Sequence, residues 1–250
     1  MHDPAYIEAV RAGDPLALAE SPDLRWQPGL ADAAASAAAG MVAAALTAFR
    51  SQAVAGSLSS GQHHAGFAAG TAYNVFNGLV LAARKALQDG ARRVLIIDCD
   101  AHCGGGTSAL IGADDRIWHL DVATHPFDGY TTAAPHTLDV IRVARDYLPT
   151  LRARLDGLAH QRESFDLCLY YAGMDPHEDC HHGGLAGIDR LLLEARERIV
   201  FDWCREFRIP LAFGVGGGNV SMPALTRSLL VGLHRLTVQA AVRAAAEYFR

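Results

Sequence analysis

The sequence lacks an excess of positive charge. Its 250 residues carry 22 Lys and Arg against 27 Asp and Glu, so the formal net charge at pH 7 is −5. A protein with this balance has no broad electrostatic attraction for nucleic acid phosphates or for an anionic membrane surface. We therefore expect neither nucleic acid nor membrane among its partners.

Two further absences bear on where the protein acts. No basic segment followed by an apolar run marks a secretory signal, and no stretch reaches the roughly 18 to 20 uninterrupted apolar residues of a membrane-spanning helix. The five cysteines are odd in number, so they cannot all form disulfide bonds within the chain. Cys99, Cys168 and Cys204 lie in apolar stretches, where reduced thiols behave as small hydrophobic side chains. We expect a cytoplasmic protein with reduced thiols.

Half of the residues are hydrophobic, which is enough for one substantial core, so we expect residues 1–250 to form a single domain. Residues 1–29, with Pro and Gly spread through them, predict a short helix followed by a surface loop. Beyond them, the predicted strands are residues 53–58, 94–97, 116–122, 166–172 and 209–215, and the predicted helices are residues 31–50, 73–88, 139–158, 185–207 and 223–249. This order predicts an α/β fold with a mainly parallel sheet sandwiched between helices.

Several candidate metal-binding side chains lie close together in residues 94–107, VLIIDCDAHCGGGT. An apolar strand delivers Asp98, Asp100 and His102 at its carboxyl end, and alternation along a strand places these side chains on one side. A catalytic zinc usually takes three such oxygen or nitrogen ligands and leaves one position open. Asp175 ends another apolar strand, in YYAGMD, and completes a predicted metal set of Asp100, His102 and Asp175. In isolation, each aspartate would more often be a helix cap.

A second candidate group is the tandem pair His63-His64 in a polar loop. A neutral imidazole near a metal can act as a general base, and a protonated one as a general acid. Taken alone, the pair could equally be two exposed loop histidines. In open α/β sheets, however, ligands bind outside the carboxyl ends of the strands. We therefore expect this loop and residues 98–106, 175–182 and 216–219 to converge on one crevice.

Together these residues resemble the histone deacetylase superfamily, whose members share the arginase-deacetylase fold. Six features in the family's order, over nearly the whole chain, carry the resemblance: QHHA from Gln62 to Ala65, FN at Phe76-Asn77, D-x-D-x-H followed by GGT from Asp98 to Thr107, AGMD from Ala172 to Asp175, GGG from Gly216 to Gly218, and H-x-x-T from His234 to Thr237. The resemblance implies a three-layer α/β/α architecture.

The resemblance also implies roles. Asp100, His102 and Asp175 would bind one Zn²⁺, which polarises an acyl carbonyl and activates the attacking water. His63 and His64 would transfer protons. The remaining implied roles are orientation of His63 by Asp98, a structural K⁺ site near Asp98, Asp100, His102 and Asp121, and an acyl channel lined by Gly217 and by either Phe127 or Tyr130.

The sequence departs from the family's pattern in three respects. Asn219 follows the glycine triplet where the family usually has a tyrosine whose hydroxyl stabilises the oxyanion, so removal of simple acetyl groups is expected to be slow. Gly105 stands where an acidic or amide side chain usually supports the second histidine, which predicts that His64 lacks that partner. We also expect the chain to lack the family's usual N-terminal strand and lip loop. The substrate pocket is then expected to be wide and shallow, or completed by a second subunit in a homodimer.

We therefore expect a zinc-dependent amidohydrolase that removes an acyl group from an amine such as acyl-lysine or acyl-polyamine, with weak activity on simple acetyl groups. One alternative is a catalytically impaired protein that binds an acylated ligand, favoured by Asn219 and Gly105. Another is a binuclear manganese ureohydrolase, suggested by Asp175 and Asp179. Gly104 opposes it, because the second ion needs a carboxylate at that position.

Overall fold

A six-stranded sheet forms the centre of the structure, a computed structural model that describes residues 1–59, 62–133, 136–160, 164–218 and 224–248. Its strands are β1 (Val54–Ser57), β2 (Val94–Asp98), β3 (Ile117–Ala123), β4 (His136–Val140), β5 (Leu167–Gly173) and β6 (Leu211–Gly216). They lie in the order β1-β6-β5-β2-β3-β4, and every neighbouring pair is parallel. The expected parallel sheet is confirmed.

Helices cover both faces of this sheet. In chain order they are α1 (Pro4–Ala12), α2 (Leu16–Ala19), α3 (Leu30–Ser51), α4 (Gly78–Gln88), α5 (Gly105–Ile111), α6 (Tyr147–His160), α7 (Arg190–Glu206) and α8 (Ala224–Tyr248). Side chains alternate along β2, so Val94 and Ile96 pack in one core with α3, α4 and α5, whereas Leu95 and Ile97 pack in a second core with α6, α7 and α8. The result is the three-layer arrangement that the sequence predicts.

The region before α6 differs from the prediction. The sequence pattern predicted one helix over residues 139–158, but His136–Val140 is an edge strand paired with β3. A short 3₁₀ turn, Ala144–Asp146, leads into α6 at Tyr147. Pro149 therefore lies in the first turn of α6, where its missing N–H leaves no intrahelical hydrogen bond unmade.

Two other helices begin later than predicted because side chains cap them. Asn77 accepts a hydrogen bond from Val80 N, and α4 begins at Gly78 rather than at residue 73. Asp189 accepts from Leu192 N, and α7 begins at Arg190 rather than at residue 185. Asn and Asp side chains satisfy backbone donors that the helix itself leaves free.

The N-terminal segment is more closely packed than a helix followed by a surface loop. Tyr6 and Val10 of α1 are buried beside Val75, and the Tyr6 hydroxyl donates to Val75 O. His2 is buried as well, with Nδ1 2.7 Å from Gly66 O, and its Nε2 accepts from Asn77 N. The first residues thus brace the loop that carries the tandem histidines.

Helix α3 has the length and apolar composition of a membrane-spanning helix, which the count of uninterrupted apolar residues did not indicate. Met41, Ala45 and Ala48 are fully buried in the core that α3 shares with α4 and the sheet. These residues form the face of α3 that packs on the core, and 22% of its most apolar 18-residue window is buried.

Candidate metal centre and active site

Side chains from five strand ends meet in one cavity of about 510 Å³ at the carboxyl edge of the sheet. All strands of a parallel sheet end on the same edge, so the loops that follow them share a crevice. In chain order, these loops contribute His63, His64, Asp100, His102, Phe127, Asp175 and Gly217 to the lining. The structure thus brings together the loops that the sequence pattern singled out.

Asp100, His102 and Asp175 form a group of potential metal ligands. One donor atom of each lies within 4.8 Å of the other two. His102 Nδ1 is 3.1 Å from Asp100 Oδ1 and 3.2 Å from Asp175 Oδ2. Bonds of about 2.0–2.2 Å to Zn²⁺ place donor atoms within roughly 4 Å of one another. The donor set and its spacing therefore fit a divalent ion.

Two buried carboxylates repel each other in this group. Burial, together with the charge of Asp100, raises the pKa of Asp175 to about 6. For His102, burial opposes the charged form, but its hydrogen bonds to Asp100 and Asp175 outweigh burial and raise its pKa to about 10. Two buried carboxylates facing one imidazole are an arrangement that a bound cation stabilises.

Backbone contacts hold the two carboxylates in place. Asp175 Oδ1 accepts from Ala101 N at 2.9 Å, and Asp100 Oδ1 accepts from His102 N at 3.0 Å. Gly217, just beyond β6, has φ 67°, and a Cβ there would collide with the Asp175 carboxylate. Glycine is therefore required at this position of the cavity wall.

His63 lies between the candidate metal ligands and the buried carboxylate of Asp98. Its Nδ1 is 2.8 Å from Asp98 Oδ2, and its Nε2 is 3.6 Å from Asp100 Oδ1. Burial opposes protonation, but the charges of Asp98 and Asp100 outweigh it and raise the pKa of His63 to about 9. Asp98 fixes the ring orientation, because a carboxylate that accepts from Nδ1 leaves Nε2 facing the cavity.

His64 also has a carboxylate partner. Its Nδ1 is 2.8 Å from Asp128 Oδ2, in the loop after β3. Phe127 packs edge-on against the His64 ring, with centroids 5.2 Å apart. Burial and the neighbouring charge of His63 lower the pKa of His64. The two adjacent imidazoles thus stand beside the metal group, each backed by a different aspartate.

A family model for the histone deacetylase domain matches residues 1–231. This chain belongs to the histone deacetylase family. An uncharacterized protein from Picosynechococcus sp. is 30% identical over 227 residues, which cover 87% of this chain and 73% of that relative. Histone deacetylase 2 of Arabidopsis thaliana is 30% identical over 174 residues, which cover 67% of this chain and 44% of that relative.

Two solved structures share the architecture of this family member. Acetylpolyamine aminohydrolase from Burkholderia pseudomallei has a TM-score of 0.74 at 16% identity, over 99% of this chain and 80% of that chain. The HDA15 HD domain has a TM-score of 0.75 at 18% identity, over 98% and 73%. The arginase-deacetylase fold is therefore confirmed.

One expectation about the family pattern is wrong in this chain. Gly105 provides no side chain for His64, but His64 is not left without a partner, because Asp128 takes that place. The sequence shows Asp128 in F-D-G, a pattern typical of a turn, so it gave no signal for this role.

The structure distinguishes the two aromatic candidates for the acyl channel. Phe127 lines the cavity, with 42% of its surface exposed, and its ring lies edge-on to His64 and His102. Tyr130 points away from the cavity, because its hydroxyl lies 3.2 Å from His119 Nδ1 and donates to Asp121 Oδ2 at 3.3 Å. The assignment of Tyr130 to the channel is therefore wrong.

A second group of potential ligands lies beside the active site: Asp98, His119 and Asp121, all fully buried and with donor atoms within 4.8 Å of one another. Asp121 Oδ1 and His119 Nε2 have no hydrogen-bond partner among the residues that the structure describes. Burial and the charge of Asp98 raise the pKa of Asp121 well above its usual range. The carboxylates expected near a structural cation are thus present, and His119 is a further donor that the sequence reading missed. K⁺ at this group remains a proposal.

The rim of the cavity is polar. His181 and His182 line it, whereas His177 is buried and its Nδ1 accepts from Asp179 N. Asp23 adds a third carboxylate to those of Asp100 and Asp175, and the described lining residues include no Lys or Arg. Asn219, the residue in place of the family's tyrosine, lies outside the described residues.

Proposed function

We propose that this chain is a zinc-dependent amidohydrolase that removes an acyl group from an amine such as an acyl-lysine or an acyl-polyamine. Membership of the histone deacetylase family supports a hydrolase that acts on acyl amides. The observation that carries the proposal is the placement of Asp100, His102 and Asp175 beside two carboxylate-backed histidines in one cavity.

In this proposal Asp100, His102 and Asp175 hold the metal. When bound, Zn²⁺ polarises the acyl carbonyl and lowers the pKa of water. His63 and His64 move the protons: one accepts from the attacking water, and the other donates to the leaving amine. The Nδ1 atom of each ring is engaged by an aspartate, so Nε2 is the reactive nitrogen in both. Phe127 forms an apolar wall that restricts access of bulk water.

The charge of the cavity supports a cationic substrate. Zn²⁺ would offset the charge of Asp100 and Asp175, so Asp23 is the remaining carboxylate among the described lining residues, which include no Lys or Arg. An amine that carries a second ammonium group, as polyamines do, gains from the charge of Asp23 along its approach. The acyl-polyamine is therefore the substrate that we place first, and acyl-lysine the second.

Metal analysis combined with a substrate panel tests the proposal. We expect about one zinc per chain and release of free amine from acylated lysines or polyamines, and Asp175→Ala should lose both. Asp179→Ala is the matched control, because its side chain is 66% exposed on the same loop, and it should keep both. Unchanged turnover in Asp175→Ala would refute the proposal.

Asn219 favours a second candidate, a protein that binds an acylated ligand and turns it over poorly. Loss of one oxyanion donor typically lowers kcat by about 10²–10³. Cleavage of trifluoroacetyl-lysine but not of acetyl-lysine indicates an enzyme short of oxyanion stabilisation. Zinc binding with cleavage of neither favours the binding protein. The manganese ureohydrolase loses support, since the side chain of Asp179 is exposed and faces His177.

A further inference from the structure

The loop after β3 is fastened to the loop that carries the metal ligands. Thr124 N and His125 N both donate to Ala101 O, at 2.8 and 2.7 Å. Cys103 N donates to Phe127 O at 3.0 Å. Because these bonds join the two loops along their length, the backbone that precedes Asp128 has a fixed position relative to Asp100 and His102.

The Asp128 carboxylate bridges two elements of the active site. Its Oδ2 is 2.8 Å from His64 Nδ1 and also accepts from Gly106 N at 3.2 Å, at the start of α5. Asp128 has φ 58°, in the left-handed region, which Asp tolerates better than most residues. A carboxylate can only accept, so His64 Nδ1 donates, and in the neutral ring His64 Nε2 then carries no proton toward the cavity.

Gly105 explains why the carboxylate comes from this loop. A Cβ at Gly105 would collide with the carbonyl oxygen and the carboxylate of Asp128, and would lie 2.6 Å from Asp128 Cγ. The space that a side chain at position 105 would fill is thus already occupied by Asp128. Two features that look unrelated in the sequence, a glycine after His-x-Gly and an aspartate in the next loop, are complementary in the structure.

From this geometry we propose that Asp128 is a positioning residue for His64. It holds the imidazole in the tautomer and orientation that the reaction requires, and it replaces the side chain that the family's pattern has at position 105. This inference rests on the proposed amidohydrolase function for its kinetic consequence, but its structural content concerns His64 alone.

Kinetics of four variants test the proposal. Asp128→Ala should lower kcat about 10- to 100-fold with little change in KM, the usual range for loss of an orienting partner. Asp128→Asn, whose Oδ1 can still accept from Nδ1, should lose less. Gly105→Asp in the Asp128→Ala background should not restore kcat, because the carbonyl oxygen of residue 128 still collides with the added Cβ. Asp115→Ala, at an exposed loop position, is the control and should match the unaltered protein.

The tautomer of His64 provides a readout that does not need turnover. Long-range ¹H–¹⁵N spectra should show His64 protonated at Nδ1 in the unaltered protein and in Asp128→Asn, and a mixture of tautomers in Asp128→Ala. Zinc content and melting temperature show which variants are folded. An Asp128→Ala protein with unchanged kcat, or an unchanged His64 tautomer, would overturn the inference. If the unaltered protein cleaves no acyl amine, the proposed function fails while the spectra still decide the role of Asp128.

Discussion

Arg196 is a fully buried charge that lies directly behind the metal-ligand loops. Its guanidinium donates to Cys99 O at 3.0 Å and to Gly173 O at 2.6 Å, next to the loops that carry Asp100 and Asp175. It also donates to Glu197 Oε1 at 2.6 Å. A buried ion pair is costly to desolvate, and its hydrogen bonds must offset that cost. Here those bonds tie the ends of β2 and β5 together.

Removing the arginine should therefore destabilise the protein strongly. We expect Arg196→Met to lower the free energy of unfolding by about 3–5 kcal/mol, because Glu197 and two carbonyl groups are left buried without their partner. Urea denaturation measures the change. Arg198→Met, at an exposed position of the same helix, is the control and should change stability by less than about 0.5 kcal/mol.

The double variant Arg196→Met/Glu197→Gln separates charge from packing. It leaves no unpaired charge, and the new amide at position 197 can still accept from the Tyr170 hydroxyl that now donates to Glu197. It should therefore be more stable than Arg196→Met alone. Equal stability of the two variants would show that the charge of Glu197 is not the source of the loss.

For individual residues, the sequence predicts the site roles of those that lie just beyond the ends of strands. Asp100, His102 and Asp175 could be assigned because each follows a β-strand directly, and parallel strands share one edge. Asp128 and His119 could not be assigned. Their positions relative to His64 and Asp98 depend on how a loop and a neighbouring strand pack, which no local pattern records.

At the scale of elements, the first turn of α5 supports the tandem histidines. Thr107 N donates to His63 O at 2.9 Å, and a Cβ at Gly106 would collide with the backbone of His64 and Ala65. Helix α5 can approach the histidine loop this closely because position 106 has no side chain.

A pair of glycine-to-alanine changes tests this close approach. Alanine normally stabilises a helix interior by about 0.5–1 kcal/mol relative to glycine. Gly157→Ala in α6, where nothing lies within 4 Å of the added Cβ, should show that gain. Gly106→Ala should instead lower stability by about 1–3 kcal/mol, because the added methyl group forces the backbone apart, and it should also reduce kcat. Thermal denaturation measures the stability of both variants. A stabilised Gly106→Ala protein would contradict the close approach of α5 to the histidine loop.

Element boundaries were harder to predict than element types. The edge strand His136–Val140 was missed since its sequence, HTLDV, continues into a helical pattern with no turn signal between them. Its pairing with β3 is a long-range contact that stabilises five residues as a strand. The starts of α4 and α7 were predicted too early for a local reason instead. Asn77 and Asp189 each cap the helix with a hydrogen bond that hydrophobic periodicity does not show.

At the scale of the whole molecule, the sheet order places the site. Strands β5 and β2 are neighbours at the centre, flanked by β6 and β3, so the loops that carry Asp175 and Asp100 meet above the middle of the sheet. The buried cores on both faces hold these strands rigidly. The candidate metal ligands thus follow the two central strands of the sheet, which favours a preorganised ligand set.

A preorganised site predicts that metal binding stabilises the entire fold. A ligand that binds the folded state stabilises it by about 2.7 kcal/mol when its free concentration is about 100 times Kd. For a domain of this size that corresponds to a rise in melting temperature of roughly 5–10 °C. We expect the chelated protein to gain such a rise on addition of Zn²⁺.

Two variants test whether the ion that raises the melting temperature binds at Asp175. Asp175→Ala should show no rise, because it removes one of three ligands. Asp146→Ala, whose side chain is 61% exposed and is not part of the cavity lining, should respond like the unaltered protein. A rise that persists in Asp175→Ala would place the stabilising ion elsewhere, with the buried group of Asp98, His119 and Asp121 as the next position to test by His119→Ala.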